Sequence, residues 1–160
     1  MKRFLILFAI VLLLNGCHRH CCTTVSTTIF LKYQNSNGDD SLDPRTTNAL
    51  KSEDMEVYVL RKGVRVQLLN YNLDYAKNFK IYGSSTEKYH MIFLFDIKKE
   101  SFVKKKVTMF ITYKDGSEDK LVGEFNENEG SSILLQNVWI NDIAMGRPSY
   151  SPSTAFIIKK

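Results

Sequence analysis

From Val25 onward, apolar and polar side chains alternate in short runs. Val25, Thr27, Ile29, Leu31 and Tyr33 fall on one face of an extended segment, and Met55, Val57 and Val59 do the same. A period of two is that of a half-buried strand, because successive side chains point to opposite faces. Lys62-Gly63 stands between residues 55–60 and 64–68 and predicts a tight hairpin turn. Residues 78–82 alternate again, and residues 89–95 are apolar on both parities, which suits a central strand. Residues 107–113 and 120–125 flank Asp115-Gly116, a strong turn signal, and residues 132–140 and 154–158 follow.

Roughly eight or nine short runs separated by turn signals predict an all-β fold, an antiparallel two-sheet sandwich over residues 25–160. Helical periodicity is weak. Residues 44–51 and 74–77 have room for one helical turn each, too little to support a helical domain. In residues 132–140, Trp139 shares a parity with Ile133, Leu135 and Asn137. Its large ring among aliphatics is expected to anchor the core.

The first residues break the pattern. Lys2 and Arg3 precede an uncharged apolar run, Phe4 to Leu14. That length fits the apolar core of a secretory signal and is short of the roughly 20 residues a spanning helix needs. The run ends at Leu14-Asn15-Gly16-Cys17, which resembles the bacterial lipobox, where small residues precede an obligatory Cys. The resemblance implies a signal peptide over residues 1–16, lipidation of Cys17, and a tether over residues 17–24. Two or three acyl chains make a stable membrane anchor. His18 rather than Asp follows Cys17, and no acidic run comes next. The expected location is therefore an outer-membrane anchor facing the periplasm.

Loss of Lys2 and Arg3 lowers the formal net charge of +5 by two, a mild surplus that implies no nucleic-acid partner. The length suits one domain with its own core. All three cysteines lie at positions 17, 21 and 22, so no disulfide staples residues 25–160. His18, His20, Cys21 and Cys22 offer soft and borderline ligands for zinc or copper. The competing reading is a solvated tether whose close spacing gives poor tetrahedral geometry.

The segments "NGDDSLDP" (37–44), "EDMEVYVL" (53–60), "YKDGSEDKL" (113–121) and "NVWIND" (137–142) stand behind the lipobox. Together they resemble a group of small Bacteroidetes lipoproteins without assigned chemistry. The resemblance implies an immunoglobulin-like or transthyretin-like sandwich and no activity; fold analogy supplies no function.

Asn35, Asn37, Asp39, Asp40 and Asp43 present several hard oxygens of the kind Ca2+ prefers. They are equally the residues an exposed turn requires, and the EF-hand spacing is absent. Asp40-Ser41-Leu42 resembles a short Bacteroidetes O-glycosylation motif. The basic stretch 98–106 suits either an anionic lipid surface or a solvated hairpin tip.

His90 is the only histidine beyond the tether, and it sits within a strand. No Gly-x-Ser-x-Gly elbow, His-Glu-x-x-His pair or phosphate-binding glycine loop occurs. Asp96, Glu118, Asp119 and Glu124 are the acids available for a carboxylate pair. The expected class is a non-catalytic envelope binding or accessory module. It needs no cofactor and has the membrane, through its lipid, and an envelope protein or glycan as partners. A metal-handling lipoprotein and, behind it, a carboxylate-dependent glycan hydrolase are the alternatives. A binding module predicts an exposed apolar or aromatic patch on the sandwich.

Overall fold

The alternating runs become strands. A computed structural model describes residues 24–84, 86–126, 132–149 and 151–160. Cys17, His18, His20, Cys21 and Cys22 lie outside the described residues. The described strands are β1 (Val25–Ser26), β2 (Thr28–Gln34), β3 (Met55–Arg61), β4 (Val64–Gln67), β5 (Phe79–Tyr82) and β6 (His90–Leu94). They continue with β7 (Phe102–Val103), β8 (Lys106–Tyr113), β9 (Glu118–Phe125), β10 (Ile133–Ile140), β11 (Ile143–Gly146) and β12 (Phe156–Lys159). Residues 44–51 and 74–77 are turns rather than helical turns. Positive φ at Asn48 and Asn78 bends the chain within and just beyond them. Among the described residues no helix is long and apolar enough to cross a membrane.

The strands form an all-β two-sheet sandwich. One sheet runs β1-β10-β9-β8-β3-β4, with β11 on β10 and β7 on β8; the other runs β12-β2-β6-β5. β6 is internal to its sheet, as its two apolar parities require. The purely antiparallel expectation needs a correction: β1 pairs parallel with β10, and β12 pairs parallel with β2. Both parallel strands are edge additions that arrive from distant parts of the chain, and local alternation carries no signal of strand direction.

Inward parities fill the interior: Ile29, Leu31 and Tyr33 from β2, Met55, Val57 and Val59 from β3, and Met91 and Phe93 from β6 are fully buried. Phe93, Phe95, Phe125 and Phe102 continue the packing as a chain of edge-to-face rings. Gly123 packs closely against neighbouring side chains. A Cβ there would stand 2.8 Å from Leu135 Cδ1 and 3.0 Å from Phe95 Cε1.

Trp139 is not in the core. In the register of β10 with β9, Leu135 faces Phe125 but Asn137 faces Glu124, so Gln136 is an extra residue. This β-bulge flips the parity after it. Leu135, Val138 and Ile140 point inward, and Trp139 is left half-buried on the outer face beneath the Lys106 ammonium, 4.2 Å from its ring centroid.

Candidate functional site

The two outer faces differ in charge. On the eight-stranded sheet, acids and bases pair: Arg65 with Glu118, Lys106 with Glu124, and Lys120 with Asp142. Arg65 also stacks 3.8 Å above the Phe110 ring. The four-stranded sheet has no such balance. Its outward positions are Thr28, Phe30, Lys32 and Gln34 on β2, and His90, Ile92 and Leu94 on β6. Lys80 and Tyr82 follow on β5, and Ile157 and Lys159 on β12. No Asp or Glu stands among them. Neither Lys32 nor Lys159 meets a carboxylate among the described residues.

Register brings the rings of this face together. Tyr82 is opposite His90, and Phe30 is opposite Ile92 one pair further along. The Tyr82 and His90 rings stack with centroids 6.2 Å apart, and His90 lies 5.7 Å from Phe30 in a tilted contact. Lys80 Nζ sits 5.1 Å from the Tyr82 centroid. The hydrogen bond with Tyr75 at 3.5 Å, and then Lys80, hold the Tyr82 hydroxyl below the usual phenol range. Tyr82 and Ile157 are exposed, whereas Phe30, His90 and Ile92 are half-buried.

At one end the face runs into a concavity of about 390 Å³. Lys32 and Ile157 belong to both. One wall is Gly38, Asp40, Asp43 and Arg45, and the other is Thr86, Glu87, Lys88 and Tyr89. Asp40 ties the walls: its Oδ2 accepts from the Tyr89 amide and its Oδ1 from the Leu42 amide, both at 3.0 Å. Arg45 holds Asp43 at 2.6 Å, and these hydrogen bonds keep the Asp43 carboxyl below its ordinary range. Donors and acceptors therefore both line the rim.

The sequence-derived calcium ligands line an adjoining open hollow that shares Asp40, Asp43 and Arg45 with this one. Their oxygens serve the turn. Asn35 Oδ1 accepts from the amides of Asn37 and Asp39, and Asn35 Nδ2 donates to Asp39. Asp40 and Asp43 are engaged as above. Among the described residues no group of three or more His, Cys, Asp or Glu side chains is placed to hold a metal ion. Ser41, in the glycosylation-like triplet, is buried.

The acids named as a possible carboxylate pair each meet their own partner. Asp96 is bound by Arg61 and Ser101. Glu118 is bound by Arg65, and Glu124 accepts from Asn137. Asp119 takes Tyr113, Asn141 and Lys160. The basic stretch closes as a hairpin tip, with Lys104 and Lys105 at φ 48° and 69° between β7 and β8.

Sequence reasoning found His90 but not its setting. The available signal was parity: Phe30, Lys32, Lys80, Tyr82, His90 and Ile92 all take the outward position of their strands, and none is acidic. No protein-family profile matches the chain, and neither does any curated protein or solved structure.

Proposed function

We propose that this protein is a lipid-anchored, non-catalytic binding module of the cell envelope, using the outer face of the four-stranded sheet and the adjoining hollow. The carrying observation is the joined surface itself: stacked rings among three lysines, without an acid, opening into a hollow rimmed by donors and acceptors. Aromatic and cationic side chains on a flat sheet favour association over chemistry, and a rigid sheet holds them in place. The apolar run and the lipobox-like Leu14 to Cys17 support anchoring through Cys17, in the outer membrane and facing the periplasm.

The anchor and the face are tested together. Cys17→Ser should release the protein from the detergent-requiring fraction or leave it unprocessed; an unchanged fraction and unchanged mature mass would contradict the anchor. Immobilised protein should retain an envelope component that Lys32→Glu/Lys80→Glu protein, folded by its circular dichroism melt, does not. Equal retention by both would contradict the face.

A further inference from the structure

We infer that the partner of this face is an acidic polysaccharide, one bearing a carboxylate on its sugar units. The inference rests on the reading of the face as the binding surface. Three features select the ligand.

The first is the charge ladder. Strands lie about 4.8 Å apart and rise about 3.3 Å per residue, so Lys80 and Lys32 are separated by roughly 12 Å, and Lys32 and Lys159 by roughly 8 Å. The cations thus run diagonally across the sheet, spaced for an extended polymer with repeating negative charge. Oppositely charged rows of this kind steer and orient a partner.

The second is the hollow. Beside Lys32 the hollow is lined by Asp43 and Glu87 as well as by Arg45 and Lys88. Those carboxylates repel any anion, and a phosphate monoester of charge about −2 more than a singly charged sugar carboxylate. Sugar hydroxyls both donate and accept, so they match an amphoteric rim.

The third is the state of the rings. Tyr82 already stacks on His90 under Lys80. That arrangement does not offer open platforms for nucleobases, which need free ring faces. A bilayer would need several protruding apolar side chains, yet Phe30, Ile92 and Leu94 are half-buried and Ile157 is the one exposed aliphatic among these outward positions.

The test is affinity electrophoresis of the mature protein through gels containing polygalacturonate, neutral dextran or poly-L-glutamate, with flotation on phosphatidylglycerol vesicles compared between this protein and its triple-lysine variant, so that the anchor contributes equally to both. Retardation by polygalacturonate alone is expected, weakening as salt rises. The Lys32→Ala/Lys80→Ala/Lys159→Ala protein, with an unchanged melt, should bind polygalacturonate about tenfold more weakly. Arg45→Ala/Lys88→Ala should weaken it as well. Equal or stronger binding of poly-L-glutamate, or vesicle flotation that falls when the three lysines are replaced, would overturn the polysaccharide inference and leave the face as a binding surface. Failure to bind any probe would overturn the ligand class alone if Lys32→Glu/Lys80→Glu still abolishes envelope retention. It would overturn both readings if retention is unaffected.

Discussion

Lys160 Nζ lies 2.8 Å from Asp119 Oδ2, joining the residue after β12 in one sheet to the internal strand β9 of the other. Asp119 is 3% exposed. Its other partners are Tyr113 Oη, which donates at 2.5 Å, and Asn141 Nδ2 at 2.9 Å. Tyr33 Oη stands 2.9 Å from Tyr113 Oη, and the Lys160 ammonium also lies 3.8 Å from the Tyr113 ring centroid. A buried carboxylate is tolerated because both of its oxygens have donors, three in all.

Asp119→Ala should therefore cost about 3–5 kcal/mol, since it strands three donors at once. Lys160→Met should cost less, about 2 kcal/mol, because Tyr113 and Asn141 still serve the carboxylate. Urea unfolding of the two variants checks this, and a larger loss for Lys160→Met would contradict it.

Burial, followed by the negative charge of Asp119, pushes the Tyr33 hydroxyl well above the ordinary phenol range. Burial, then Tyr33 and Asp119, does the same to Tyr113. Both groups keep their protons in the fold and release them near pH 10 when unfolded. Their contribution is fully present below that pH and is lost as pH rises above it. Each adds a slope of up to about 1.4 kcal/mol per pH unit. Absorbance titration should show two of the eight tyrosines ionising only with unfolding. Tyr113→Phe should flatten the alkaline loss of stability; an unchanged slope would contradict the assignment.

Gly123→Ala should destabilise the protein by about 1–3 kcal/mol, because Leu135 and Phe95 must give way between two packed sheets. Thermal melts check it, and a neutral effect would mean that the sheets separate easily at this point.

The same region shows what was legible in the sequence. Ile29, Leu31 and Tyr33 kept their period of two, as did Met55, Val57 and Val59, so strands, the β3–β4 hairpin and the all-β class could be read directly. β10 also alternates on paper, but the extra residue at Gln136 reverses the parity and moves Trp139 outward. A bulge is a property of the pairing between strands and leaves no mark on one strand alone. The parallel docking of β12 on β2 was hidden for the same reason: Ile157 meets Lys32 across 125 residues of chain. The candidate face depends on that docking, so its residues were visible while their assembly was not.

Trp139→Ala should accordingly cost less than Phe125→Ala, for which full burial sets about 3–5 kcal/mol. Chemical denaturation of the two variants gives the order, and the reverse order would restore Trp139 to the core.

The most direct test of the central claim is amide chemical-shift mapping of the mature protein titrated with oligogalacturonate. The largest shifts should fall on Phe30, Lys32, Tyr82, His90 and Ile157 and extend into the hollow at Arg45 and Lys88. They should be absent around Arg65 and Trp139 on the opposite sheet. Shifts centred on Arg65 and Trp139, or none at saturating ligand, would contradict the account.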